Sequence, residues 1–165
     1  KIVVDYLTIF TNFQLWAYTL FFCFLLASLV AWNTLSPFYL MDYLKINLIQ
    51  FGFIQLFVYG FLILGINLKS ILKYPMERIM KGGVFLTIIT FTLALLALMY
   101  SPQRLVWVMG VFLLFCLSAG LIFYSLHRKA IEIPKAPMGT IIAVFSMTMN
   151  LSGFLGSLAA RQLNF

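Results

Sequence analysis

The sequence predicts an all-α membrane protein, a polytopic bundle of five transmembrane helices. Of its 165 residues, 64% are apolar and only 9% are charged, whereas a water-exposed surface needs roughly a quarter of its residues charged. Five stretches of about 20 residues, the length that a helix needs to cross the hydrocarbon, contain no Asp, Glu, Lys or Arg. Short polar linkers separate these stretches. A soluble domain is therefore excluded, and so is a disulfide-stapled scaffold, because the chain has only two cysteines.

The five predicted spans follow one another over most of the chain, as a single membrane domain over residues 1–165. They run from Leu15 to Ser36, Leu48 to Leu68, Gly82 to Tyr100, Leu105 to Leu126 and Met138 to Ala160. Ahead of them, the first dozen residues, with Asp5, Tyr6 and Asn12, are expected to form an interfacial lead-in. The linkers are expected at Ser36–Asn47, Lys69–Lys81, Ser101–Arg104 and His127–Pro137. Because these linkers are short, consecutive spans should be antiparallel neighbours.

The basic residues predict the orientation, since Lys and Arg are retained on the cytoplasmic side. One side carries eight of them, Lys1, Lys69, Lys73, Arg78, Lys81, Arg128, Lys129 and Lys135, and the other carries three, Lys45, Arg104 and Arg161. The N-terminus is therefore expected in the cytoplasm. Aromatic anchors are expected near the inner boundary at Trp16 and Tyr18, and near the outer one at Tyr39, Tyr43, Tyr100 and Trp107. The chain starts with Lys rather than Met, and we expect it to be a fragment.

The sequence contains no recognisable set of catalytic acids, bases, nucleophiles or metal ligands. The only histidine, His127, precedes Arg128 and Lys129 at a predicted helix end, where a cationic side chain complements the helix dipole. Cys23 and Cys116 form no CxxC pair and are expected to pack as small apolar groups. We therefore predict no enzyme, no metal and no cofactor. Basic residues in short clusters between apolar runs also argue against nucleic acid as a partner and for the lipid bilayer.

Uncharged polar residues inside the spans are the candidate functional groups, because an amide facing acyl chains must find another helix or a wet cavity. Asn33, Gln55 and Asn150 qualify best. In the first span, helical spacing puts an aromatic and apolar face in line with Asn33. The residues of that face are Tyr18, Phe22, Leu25, Leu29 and Asn33. Such a face either lines an apolar pocket or packs against a neighbouring helix through Asn33.

The second and last spans leave similar alternatives open. Gly52, Gln55 and Tyr59 share one face, which either meets a ligand or admits a neighbouring backbone at Gly52. In the last span, small residues lie at the spacing of close helix contacts, and Asn150 near mid-span faces a neighbour or a substrate cavity. These small residues are Ser146, Ser152, Gly153, Gly156, Ser157 and Ala160. The third span contains no amide and is expected to be peripheral and lipid-facing.

The order of these features resembles the C-terminal half of a major facilitator superfamily transporter, in particular a multidrug:proton antiporter of the bicyclomycin and chloramphenicol resistance type. Asp5-Tyr6 with Asn12 looks like the lead into that family's seventh helix, and Ala31-Trp32-Asn33-Thr34-Leu35-Ser36-Pro37 looks like the end of that helix. Gly52-Phe53-Ile54-Gln55, Lys81-Gly82-Gly83 and Pro137-Met138-Gly139-Thr140 resemble the openings of helices 8, 9 and 11. The basic loop after the second span lacks a clean copy of the superfamily's loop signature.

The resemblance implies that the five spans correspond to helices 7 to 11, with helices 1 to 6 and helix 12 missing. Leu29, Val30 and Asn33 would face substrate from helix 7, and Gln55 and Tyr59 follow from their shared face. The family's proton-carrying acids lie in its N-terminal half, so this chain alone is not expected to couple protons. Substrate would bind between the two halves, and one half would rock against the other.

The first functional interpretation is a secondary transporter of the inner membrane that exports lipophilic or cationic small molecules in exchange for protons. Its partners would be the bilayer, the small-molecule substrate and the missing N-terminal half. A siderophore or metabolite exporter of the same superfamily is the second. A third, from another class, is a membrane subunit or assembly factor that does not transport and only packs against a larger complex.

Overall fold

A computed structural model describes residues 2–100, 105–132 and 137–162, and in this part of the chain every regular element is helical. The helices are α1 (Ile2–Phe10), α2 (Phe13–Pro37), α3 (Leu48–Leu72), α4 (Met76–Tyr100), α5 (Leu105–Glu132) and α6 (Met138–Arg161). A π-helical segment, Phe38–Tyr43, continues α2. Five helices, α2 to α6, are long and apolar enough to cross a membrane. The all-α prediction with five spans is thereby confirmed.

Local chemistry explains where several helices begin. The Asn12 side-chain oxygen accepts a hydrogen bond from the Leu15 N–H at 3.1 Å, which caps the first turn of α2. Pro75 and Pro137 each precede a helix, and their carbonyl oxygens accept the amides three and four residues later. Proline suits this position because its fixed φ matches the helix and its missing N–H would have no helical partner. Before Pro75, Lys73 adopts a positive φ of 51°, which ends α3.

The linker expected to begin at Ser36 is helical as far as Tyr43. Pro37 has a φ of −61°, which a helix accommodates, but it cannot donate a hydrogen bond to the preceding turn. Beyond it the chain takes the wider π turn, and the Leu44 N–H bonds the Tyr39 carbonyl oxygen five residues earlier. The sequence pattern predicted a linker from Ser36 onward, but the helix continues through Pro37 to Tyr43.

Two other expected linkers are shorter than predicted. α3 extends to Leu72 and α4 begins at Met76, so only Lys73, Tyr74 and Pro75 connect them. α5 continues to Glu132, so His127 lies within the helix and not at its end. Charged residues stop the hydrophobic run but do not stop the helix, because the backbone hydrogen bonds continue into the polar layer. The Ser101–Arg104 linker and residues 133–136 lie outside the described residues.

The first of two compact units comprises residues 1–48 and 126–165. Its main contact is between α2 and α6, where a Cβ built on Gly156 would collide with the Ala27 backbone. At the start of these helices, Ile9 of α1 is buried with Leu15 and Ile141, and Trp16 and Val144 pack against them. α1 therefore packs against the N-terminal ends of α2 and α6.

The second unit, residues 49–125, contains α3, α4 and most of α5. Gly65 of α3 and Gly120 of α5 cross so closely that a Cβ on either would collide with a carbonyl oxygen of the other helix. α4 packs on α5 through Gly83 against Ile122 and through Phe91, whose ring lies 5.7 Å from that of Phe115. The side of α4 that includes Phe85 and Ile88 is exposed.

Candidate functional site

The candidate site lies along the contact between α2 and α6, which we call the α2–α6 seam. It is formed by Ala27, Val30 and Thr34 of α2 and by Gly153, Gly156 and Ser157 of α6. A Cβ built on Gly153 would lie 3.7 Å from Val30 Cγ2, an ordinary contact. One turn further along α2, the Thr34 and Ser157 hydroxyl oxygens are hydrogen-bonded at 3.3 Å. The seam thus changes from backbone contact at Gly156 to a polar contact at Thr34.

Two of the three predicted amides lie beside this seam. Asn33 directly precedes Thr34, lies three residues after Val30, and is exposed. Asn150 is also exposed and shares one face of α6 with Gly153 and Ser157, at spacings of three and seven residues. Asn33 thus lies one turn after Val30 on α2, and Asn150 lies one turn before Gly153, the α6 residue that faces Val30.

The predicted aromatic face of α2 is covered over most of its length and opens at Asn33. Phe22, Leu25 and Leu29 are buried, Leu29 to 8% exposure. One turn later Asn33 is exposed, although helical spacing puts it on the same face as Leu29. Leu29, which the resemblance places toward substrate, is therefore buried, whereas Asn33 is exposed and Val30 is half-buried.

Gln55 and Tyr59 lie on α3, in the second unit. Gln55 is half-buried with its Oε1 atom inaccessible, and Tyr59 is 44% exposed. Open space surrounds the position of a Cβ on Gly52, so the alternative of a backbone packed at this glycine is not observed in the described structure. The shared face of Gly52, Gln55 and Tyr59 is thus partly open.

Two features of the described structure went unforeseen in the sequence. The Thr34–Ser157 hydrogen bond joins residues 123 positions apart. The spacing of residues within one helix cannot predict a contact between two helices so far apart in the sequence. The His127 ring packs edge-on to Phe145 with centroids 5.0 Å apart, and lies 6.3 Å from Phe22. His127 therefore contacts aromatic rings of α2 and α6, where the sequence indicated only a helix end.

Chemically, the seam offers hydrogen-bond donors and acceptors without charge. Amides at Asn33 and Asn150 and hydroxyls at Thr34 and Ser157 lie among apolar side chains such as Val30. Among the described residues, no group of three or more His, Cys, Asp or Glu side chains is placed to hold a metal ion. This combination suits recognition of an uncharged polar group on an otherwise apolar molecule.

A curated protein is similar to nearly the whole chain. The chloramphenicol resistance protein CraA of Acinetobacter baumannii is 26% identical over 152 residues, which cover 91% of this chain. The matched region is 37% of that protein, so the chain spans little more than a third of the length of its relative. No protein-family profile and no solved structure matches the chain.

Proposed function

We propose that this chain forms part of a membrane transporter that exports lipophilic small molecules, and that the α2–α6 seam is one wall of its substrate cavity. Similarity to a chloramphenicol resistance protein over 91% of the chain favours drug export as the biological role. The chain spans 37% of that relative, and the remaining helices of such a transporter would supply the opposite wall. In this proposal the protein is a major facilitator of the inner membrane, with the N-terminus of the chain in the cytoplasm.

The observation that carries the proposal is the exposure of Asn33 and Asn150 inside helices that are otherwise apolar. An amide that faces acyl chains loses its water partners, at a cost of a few kcal/mol. Such residues in spanning helices therefore face the protein interior or a water-filled cavity. A cavity that admits water and substrate would bring polar groups of the substrate to both exposed amides beside the seam.

Each residue of the seam then has a distinct role. Asn33 and Asn150 donate to and accept from polar groups of the substrate, while Val30 provides apolar contact. The Thr34–Ser157 hydrogen bond joins the two helices beside them, and Leu29 is buried one turn before Asn33. In the second unit, Gln55 and Tyr59 of α3 are proposed as further substrate-contacting residues. A surface of this kind binds by contact area and a few hydrogen bonds, which suits varied lipophilic substrates.

Proton coupling would depend on residues outside these spans. The predicted spans contain no Asp or Glu, and an ionisable side chain within the membrane is the usual carrier of a transported proton. We therefore assign substrate contact to this chain and proton transfer to the rest of the transporter. Export of chloramphenicol by the full-length protein would then stop when a protonophore collapses the proton gradient.

The test measures accumulation of radiolabelled chloramphenicol in drug-susceptible bacteria that express the full-length protein. Expression should lower accumulation, and Asn33→Leu, Gln55→Leu and Asn150→Leu should each reduce export. Loss of one hydrogen bond predicts a reduction of roughly two- to tenfold. Leu93→Ala and Leu95→Ala, at exposed positions of α4, are the controls and should export normally. Equal behaviour of all five variants would contradict the assignment of the cavity wall.

A further inference from the structure

α1 contributes exposed apolar side chains next to the start of α2. One side of α1 packs inward through Ile9, while Leu7 and Phe10 are exposed, as is Phe13 at 83%. Exposed apolar side chains on a helix anchored in this way belong at the boundary between headgroups and acyl chains.

The Trp16 side chain marks the same boundary. Its ring stacks on Phe10 with centroids 5.6 Å apart, and its indole nitrogen donates to the Phe10 carbonyl oxygen at 3.2 Å. An apolar ring with one polar edge prefers this depth of the bilayer. Tyr18, two residues further along α2, therefore lies at the level of the lipid headgroups or just below it.

The C-terminal end of α5 brings positive charge to this level. Lys129 Nζ lies 5.6 Å from the centroid of the Tyr18 ring, a cation–π contact between α5 and α2. Lys129 is half-buried and Arg128 beside it is exposed. His127 fixes this part of α5 against α6, because its ring packs on Phe145. The ammonium is therefore held over a fixed ring at the protein surface.

The charge balance of this end favours an anion. Residues 126–137 contain Arg128, Lys129 and Lys135 against a single acid, Glu132. Among the side chains that the structure describes in the first unit, the acid is Asp42. It lies 24 residues after Tyr18, about 36 Å along a helix, and so does not neutralise the basic residues near Tyr18. A phosphate between Arg128 and Lys129 would meet complementary charge, with the Tyr18 hydroxyl as a further donor.

We propose that Tyr18, Arg128 and Lys129 bind the phosphate of an anionic phospholipid, such as phosphatidylglycerol, whose acyl chains extend beside the exposed apolar residues of α1. The proposal depends on membrane insertion and not on transport. Juxtamembrane basic residues attract anionic lipids electrostatically, and a guanidinium also binds phosphate oxygens in bidentate geometry. The cation–π contact orients the lysine before the lipid arrives, which reduces the entropy lost on binding.

Native mass spectrometry of the purified, delipidated full-length protein tests this proposal. Phosphatidylglycerol is titrated in, and its occupancy is compared with that of phosphatidylcholine. The variant carrying Arg128→Gln and Lys129→Gln should bind phosphatidylglycerol about tenfold more weakly, since each basic residue contributes substantially to anionic-lipid binding. The matched control, Lys73→Gln with Lys81→Gln, removes the same charge from exposed positions at the α3–α4 turn and near the start of α4, and should bind as the unaltered protein does.

Two further variants separate the site from bulk charge. Lys129→Arg should retain binding, because the cation–π contact and the charge both persist, whereas Tyr18→Leu should weaken it several-fold. Equal loss in the Lys73 and Lys81 control would overturn the proposal, as would full binding by the Arg128 and Lys129 variant. Equal occupancy by phosphatidylcholine, or displacement of the lipid by millimolar glycerol phosphate, would likewise count against a lipid site.

Discussion

Gly156 shows how a single residue determines the contact between two helices. It is buried, and a Cβ at this position would collide with the Ala27 carbonyl group. Small residues permit such close approach, which replaces the hydrophobic driving force that is lacking between helices in lipid. Gly153, three residues earlier, faces only the movable side chain of Val30. The sequence presents both glycines in one pattern, but only Gly156 has no room for a methyl group.

This difference predicts that Gly156→Ala destabilises the protein while Gly153→Ala does not. The added methyl group at Gly156 forces α2 and α6 apart, which should cost about 1–3 kcal/mol, the usual range for overpacking. At Gly153 the effect should stay within roughly 0.5 kcal/mol. Unfolding of the full-length protein by SDS titration in mixed micelles measures both. A Gly153 variant destabilised as much as the Gly156 variant would contradict the close contact at Ala27.

At the scale of elements, α4 and α5 are joined by a polar contact inside an apolar interface. The Thr87 and Ser118 hydroxyl oxygens lie 3.2 Å apart, and both residues are buried. The Ser118 hydroxyl donates to the Phe115 carbonyl oxygen of its own helix and accepts from Thr87, whose single proton has the Gly83 carbonyl oxygen as its alternative acceptor. The sequence identified α4 as a span without an amide, but helical spacing alone gave no reason to pair Thr87 with a residue 31 positions away.

A double-mutant cycle should detect this pair as a coupled unit. Thr87→Val and Ser118→Ala remove the two hydroxyls separately and together, and the interaction energy should be about 0.6 kcal/mol, the average for hydrogen bonds between membrane helices. Thr92, exposed on α4, provides a control, because Thr92→Val combined with Ser118→Ala should give additive changes in the free energy of unfolding. Additivity in the Thr87 cycle would mean that the hydroxyls do not interact.

For the whole molecule, the testable property is its orientation in the membrane. The short α3–α4 turn contains Lys73, and Tyr43 ends the π-helical segment at the other end of α2 from Trp16. Positive charge is retained in the cytoplasm, so the turn should face inward and Tyr43 outward. In a cysteine-free background, Lys73→Cys should react with a membrane-impermeant maleimide only from the cytoplasm, and Tyr43→Cys only from outside. The reverse labelling pattern would overturn the predicted topology.

The sequence by itself determined the fold class, the five spans and the candidate amides. A long uncharged run that crosses the hydrocarbon must be helical, because each backbone polar group must form its hydrogen bond within its own segment. The length and composition of such a run can be read directly from consecutive residues of the sequence. Hence α2 to α6 each contain a predicted span. Helix ends were less predictable, since at Pro37 and His127 the backbone continues its hydrogen bonding beyond the apolar run.

Only the tertiary structure decided which faces meet. Gly156 contacts Ala27, Thr34 bonds Ser157, and Lys129 lies over Tyr18, all between residues more than a hundred positions apart. Within an apolar helix nearly every face is suited to lipid or to protein, so periodicity does not distinguish Leu29, which is buried, from Asn33, which is exposed on the same face. That choice depends on shape complementarity between distant segments, which exists only once the helices have packed.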